Sequence, residues 1–313
     1  MQSRVCDLVK NDRFDGFLLV RTSEQRTGSN GVKYLDLNLC DRYGEINSKV
    51  WDANAVPPEP GSVIRVRGLI LEYNGRMQFR IDRIRETTQE DVFDMNSLAP
   101  CAPESAEAML VYINSVLDQF EDIQLKQLAK GMLDKFSDKI LYYPAAQRIH
   151  HAERSGLLHH TTGMLKTAQA IVPLYPWLNS DLLYAGVIVH DICKTEEMDS
   201  DKLGVVRDYT TEGLLLGHLV MGVTRIQEVA NELGITGEKV TLLQHLMISH
   251  HGEAEYGSPR KPMIAEAEVL HWIDLLDARM NEMKTVLDKL KPGVFSEKIW
   301  SLDRRVYRMN EHI

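Results

Sequence analysis

Ten of the 11 histidines in this 313-residue chain fall between His150 and His271, and none occurs in the first 149 residues. Imidazoles gathered in one stretch can ligate metals or move protons. One of them, His190, is followed directly by a carboxylate that needs compensation. His190 and Asp191 close the most apolar run of the sequence, Leu182 to Val189. That run is apolar on nearly every side, which for a helix means burial in the centre of a bundle. Burying the Asp191 charge at its end costs several kcal/mol unless a cation or a hydrogen-bond network offsets it. A bound metal would do so. Neutral imidazoles with carboxylates suit manganese, iron, cobalt or zinc, and leave positions in the shell open to water. His245, His271 and His312 read as ordinary structural histidines.

Residues so far apart can meet only if helices carry them. Helical spacing of apolar residues predicts helices over 106–120, 123–136, 156–172, 181–195, 210–233, 237–250 and 262–290. The first part of the chain has another rhythm. Leu35, Leu37 and Leu39 alternate with Asp36 and Asn38, and Ile64 and Val66 alternate with Arg65 and Arg67, as half-buried strands require. Asp41 to Gly44 divides one pair of runs, and Tyr73-Asn74-Gly75-Arg76 divides another with the dipeptide that a tight hairpin favours. About five strands in some 70 residues predict a small closed barrel of the oligonucleotide-binding (OB) type. Arg65, Arg67 and Arg80 lie on its strands as candidate contacts for a nucleic-acid backbone, with Tyr34, Tyr43, Trp51 and Tyr73 available for stacking. An ordinary solvated face with aromatics filling the barrel is the plainer alternative.

The predicted architecture is therefore an all-β OB-type barrel at 1–86, a linker rich in turn residues at 87–105 and an all-α bundle at 106–313. A length of 313 residues accommodates two such domains. The formal charge of −9 is unevenly spread: residues 1–90 hold 14 Lys and Arg against 13 Asp and Glu, which leaves 22 against 32 for the remainder. A body at −10 repels polyanions over most of its surface, so a nucleic acid must be held by a local site or by the near-neutral first part. The four cysteines are far apart and lack C-x-x-C spacing, which predicts free thiols. No apolar run approaches the ~18 residues of a bilayer span, and the N-terminus has no apolar signal core, so a cytoplasmic location and no membrane partner are expected.

The histidine pattern resembles the HD-domain superfamily of metal-dependent phosphohydrolases. The residues that carry the likeness are His160 in Gly-Leu-Leu-His-His-Thr, His190-Asp191 in His-Asp-Ile-Cys-Lys and Asp274 in His-Trp-Ile-Asp-Leu-Leu-Asp. The resemblance implies that these four hold one divalent ion. Some members hold a second with further histidines, for which this chain offers His218 and His250-His251. It then implies two ions, manganese foremost with iron, cobalt, magnesium or zinc as the others, bridged by Asp191 and sharing a hydroxide nucleophile. Adjacent helical residues point about 100° apart, so each doublet can share a centre only near a helix end or between two ions. Lys194, one turn beyond His190, is placed to meet a phosphate oxygen.

A narrower likeness covers nearly the whole chain. The barrel, the segment Ala-Ala-Gln-Arg-Ile-His-His before Ser-Gly-Leu, and Ser-His-His-Gly-Glu-Ala-Glu-Tyr-Gly-Ser-Pro resemble the YhaM-type 3′ to 5′ exoribonucleases of bacteria. This chain departs from their pattern in placing Ala152 before Glu153 and Leu275 after Asp274. The resemblance implies release of nucleoside monophosphates from single-stranded RNA, and single-stranded DNA as a further substrate. Their place in the motif makes His150 and His151 either contacts for the scissile phosphate or structural residues, and Tyr256 and Ser258 read either as a loop at the mouth of the site, with the aromatic placed to stack on a base, or as an ordinary turn. A homo-oligomer is also expected. Two other readings remain: an HD phosphohydrolase of nucleotides or cyclic dinucleotides, and a non-catalytic nucleic-acid-binding protein.

Overall fold

Alternation of apolar and polar residues in the first part resolves into five strands: β1 (Arg13–Thr27), β2 (Lys33–Asp41), β3 (Gly44–Val50), β4 (Val63–Tyr73) and β5 (Arg76–Glu86). The structure is a computed structural model that describes residues 2–28, 31–52, 55–88, 90–94, 97–147 and 151–310. The strands close a barrel in the order β1-β2-β3-β5-β4, with β3 and β5 parallel and the other pairs antiparallel. This is the OB-type barrel expected. Asn74 (φ 50°) and Gly75 (φ 74°) make the β4–β5 hairpin, as their positive φ angles permit. Inside, Leu18, Leu37, Ile64 and Phe79 are fully buried, and Phe14 meets Phe79 edge-on at 5.6 Å. The interior is thus filled by Phe and aliphatic residues, while Tyr43, Trp51 and Tyr73 are exposed.

The chain divides into two compact units, 1–101 with 203–205, and 102–202 with 206–313. The second is helical: α1 (Ala106–Leu117), α2 (Ile123–Lys135), α3 (Ser137–Ile140), α4 (Gly156–Ile171), α5 (Ser180–Val189), α6 (Lys194–Glu197), α7 (Thr211–Leu233), α8 (Glu238–Ser249) and α9 (Ala265–Lys289). Ser105 and Asp122 cap α1 and α2 by accepting backbone N–H groups of their first turns. A short hairpin, β6 (Met198–Ser200) with β7 (Val206–Tyr209), separates α6 from α7. The apolar α5 packs against α2, α4, α8 and α9, which is the central position its composition demanded. Among the described residues, no helix is long and apolar enough to cross a membrane.

Two helices differ from their sequence expectation. The helix expected through residue 195 stops at Val189. Beyond it Ile192 N–H bonds to Val189 O and Lys194 N–H to Asp191 O, and these three-residue turns release His190 and Asp191 from helical spacing. The helix expected over 210–233 is interrupted at Gly217, whose φ of 70° and ψ of 159° lie outside any helix. A β-carbon is disfavoured at such a φ, which explains glycine there.

Candidate metal centre

Five helices converge on one carboxylate. α4 supplies His160, the ends of α5 and α8 supply His190-Asp191 and His250-His251, α7 supplies His218, and α9 supplies Asp274. Around Asp191 the side chains form two groups. In the first, His160 Nε2 lies 3.2 Å from His190 Nε2, 3.2 Å from Asp274 Oδ1 and 3.8 Å from Asp191 Oδ2. In the second, the other oxygen, Asp191 Oδ1, lies 3.3 Å from His218 Nε2 and 3.6 Å from His250 Nε2, with His251 alongside. Ligand atoms ~2.0–2.2 Å from an ion stand about 3–3.5 Å from one another, so both groups have the dimensions of a coordination shell.

The electrostatics call for cations. Asp191 Oδ1, His218 Nε2 and His250 Nε2 are buried and have no hydrogen-bond partner among the described residues, a costly arrangement unless an ion takes their lone pairs. Burial pushes His250 down to about 3, so its imidazole is neutral and ready to ligate. Burial also opposes charge on His160, yet hydrogen bonds and charge from Asp274 and Asp277 raise it to about 10. That point therefore demands positive charge, as a proton or as a metal. Asp191 is buried too, but the charges of Lys194 and His190 hold its carboxyl well below the usual range. Asp274 is likewise held down, by His160. Charged carboxylates and neutral imidazoles are the ligating forms.

The other expected residues divide. Lys194 Nζ donates to Asp191 Oδ2 at 2.7 Å and so stands on the site. His151 is 4% exposed, its Nε2 donates to Asp277 at 2.7 Å and its Nδ1 faces Asn281 and His159. Both of its ring nitrogens are thus engaged by side chains of the protein. His150 lies outside the described residues. Tyr256 is exposed, and its carbonyl accepts the Nδ1 proton of His251. Ser258 is buried, with no partner for its hydroxyl among the described residues, rather than open at a mouth. On the barrel, Arg65, Arg67 and Arg80 line a groove of about 770 Å³ together with Trp51, Arg83 and Arg85. Arg65 faces Asp15 and Arg80 faces Asp82, each at the long separations of 3.4 and 3.5 Å.

Sequence reasoning missed two carboxylates. Asp277 accepts the Nδ1 proton of His160 at 2.7 Å, and Glu197 accepts that of His218 at 3.0 Å. Asp277 had a signal, since it follows Asp274 by one helical turn and shares its face. Glu197 had none, because its partner is 21 residues away across the β6–β7 hairpin.

Comparison with known proteins agrees with the geometry. The HD-domain family model matches residues 157–279, which contain every residue of the two groups. The 3′-5′ exoribonuclease YhaM of Geobacillus sp. (strain WCH70) is 41% identical over 302 residues, or 95% of this chain and 91% of that protein. The chain belongs to the YhaM family. Its HD domain is that of a metal-dependent phosphohydrolase, so the YhaM family membership accounts for ligands of divalent-metal type at the centre of the helical unit. For the barrel, the second OB-fold domain of replication protein A from Methanococcus maripaludis aligns at 19% identity, covering 30% of this chain and all of that one, with a TM-score of 0.24. The PriB protein of Ralstonia solanacearum aligns at 14% identity over 26% of this chain and all of its own, with a TM-score of 0.22. At such scores these likenesses carry no argument, and the barrel rests on its own strand pairing.

Proposed function

We propose that this YhaM-family chain is a two-metal 3′-5′ exoribonuclease that removes nucleoside monophosphates from single-stranded RNA, and from single-stranded DNA as well. The observation that carries the reading is Asp191, whose two oxygens face two separate groups of ligating side chains. His160, His190, Asp191 and Asp274 would hold one ion, and Asp191, His218, His250 and His251 the other. When bound, two such ions supply Lewis acidity toward a phosphodiester and lower the pKa of a water that attacks it, with manganese the ion we favour. Lys194, held against Asp191, adds a fixed positive charge beside the reacting phosphate. Tyr256 is exposed and free to stack on the terminal base.

The barrel is the strand clamp in this reading. Arg65, Arg67 and Arg80 neutralise backbone phosphates along the groove, and Trp51 at its edge offers a stacking face. We assign strand binding to 1–86, connection to 87–105 and catalysis to 106–313, in the cytoplasm and in a homo-oligomer. The test combines metal content per chain with product analysis on a 3′-blocked and a free end-labelled oligoribonucleotide. Two manganese ions per chain and stepwise monophosphate release from the free 3′ end are expected. Hydrolysis confined to free nucleotides would overturn the assignment.

A further inference from the structure

The five histidines of the centre all turn the same nitrogen outward. His190 Nδ1 donates to Val187 O, His250 Nδ1 to Met247 O and His251 Nδ1 to Tyr256 O, each at 2.8 Å. His160 and His218 donate instead to carboxylates, Asp277 and Glu197. None of these acceptors has a proton to give, so every Nδ1 carries the N–H and every Nε2 keeps its lone pair for a cation. Carbonyl acceptors come free from the local backbone, three or five residues away. The two carboxylates are distant in sequence, and they fall one to each group: His160 belongs with His190 and Asp274, His218 with His250 and His251.

We propose that Asp277 and Glu197 are positioning residues, each governing one ion, and that His151 works through Asp277 rather than on the substrate. The proposal rests on the two-ion reading above. An anionic acceptor raises the basicity of the imidazole it holds and fixes its ring, so each carboxylate tightens its own ion. Glu197 Oε1 also accepts the backbone N–H of His218 at 3.0 Å, a proton that the helix break at Gly217 leaves available. Asp277 Oδ2 receives two N–H groups, from His160 Nδ1 and from His151 Nε2, both at 2.7 Å. His151 is fixed in turn by Asn281, whose side chain accepts its backbone N–H at 3.1 Å and faces its Nδ1 at 3.2 Å. The His-His segment that the sequence suggested for phosphate contact therefore supplies, through His151, a clamp on a ligand's carboxylate.

Space behind Asp277 is set by Gly163 of α4. A β-carbon there would lie 2.6 Å from Asp277 Oδ1, so Gly163→Ala must displace the carboxylate while favouring the helix itself. This provides a variant that disturbs Asp277 without removing any polar group.

The test is a manganese titration of the metal-depleted full-length protein against a competing chelator, reading the number of ions and the affinity of each. Wild type is expected to take two. Asp277→Asn should weaken one ion about 10- to 100-fold and leave the other within a few-fold, and Glu197→Gln should do the reverse. His151→Ala and Gly163→Ala should weaken the same ion as Asp277→Asn, and His151→Ala should leave KM for a short oligoribonucleotide unchanged at saturating manganese. Metal-free thermal melting of Gly163→Ala controls for folding. Unchanged affinities in both carboxylate variants, or equal loss of both ions in either one, would overturn the inference while the two-ion reading stands. A raised KM with unaltered metal affinity in His151→Ala would return that residue to the substrate. Wild type taking fewer than two ions sinks the two-ion reading itself.

Discussion

In the proposed function Asp191 concentrates the chemistry, because among the described residues it is the carboxylate whose two oxygens face both groups. Replacing it by Asn keeps the shape but removes the charge and offers an N–H to atoms that need a cation. Asp191→Asn is expected to lower kcat by at least ~10³-fold while RNA affinity, measured by fluorescence anisotropy, changes less than about threefold; retained turnover would refute its role. A second residue has a pH signature. Asp122 accepts N–H groups of Gln124 and Leu125 and pairs with Lys239. Burial pushes its carboxyl up, but Lys239 and the two backbone bonds outweigh it, so the folded value lies below the ordinary one. Its contribution is therefore complete above the unfolded pKa and disappears as acid carries the pH down through the folded pKa. Asp122→Ala should cost about 1 kcal/mol in urea unfolding near neutrality and nothing measurable in strong acid.

Among the elements, α7 carries an interruption that the apolar periodicity could not reveal. Its pattern runs through Gly217 without a break, since a single residue in a non-helical conformation alters direction more than spacing. Gly217→Ala forces a side chain into the left-handed region, at a cost of about 1–2 kcal/mol, or else straightens α7 and withdraws His218 from Asp191. Either way manganese-induced thermal stabilisation should shrink by several degrees relative to wild type, and an unaltered shift would mean the break is idle. The end of α5 gives the complementary lesson. Its apolar run located the buried helix, but the three-residue turns after Val189 depend on where His190 and Asp191 find partners, several of which are on other helices, as His160, His218 and His250 are. In the barrel, strand periods were legible because one face is filled and the other solvated, as Phe79 buried beside exposed Arg80 illustrates.

For the whole molecule, charge separates the tasks. An acidic helical unit cannot attract RNA by its general field, so in the function proposed above capture falls to the arginine groove of the barrel. Arg67→Ala with Arg80→Ala should weaken binding of long single strands uniformly across sequences. The slope of log K against log salt should fall by ~1.4, as expected for two lost phosphate contacts on a single strand. Cleavage of very short substrates should be nearly unaffected, and equal losses on long and short ones would count against the groove as a clamp.

By itself the sequence determined the barrel and the helical unit, because period and composition are local properties, and through its resemblance it pointed to Asp191 and six side chains that the helices bring near it. It also indicated the family, through the barrel and the long motif from His250-His251 to Tyr256 and Ser258. It could not determine that Asp277 and Glu197 stand behind His160 and His218, or that His151 turns inward. Those facts depend on contacts between residues 21 to 126 positions apart, and on which nitrogen of each ring meets an acceptor. Only the packed helices decide that, since ring orientation is set by neighbours in space and leaves no trace in the order of the chain.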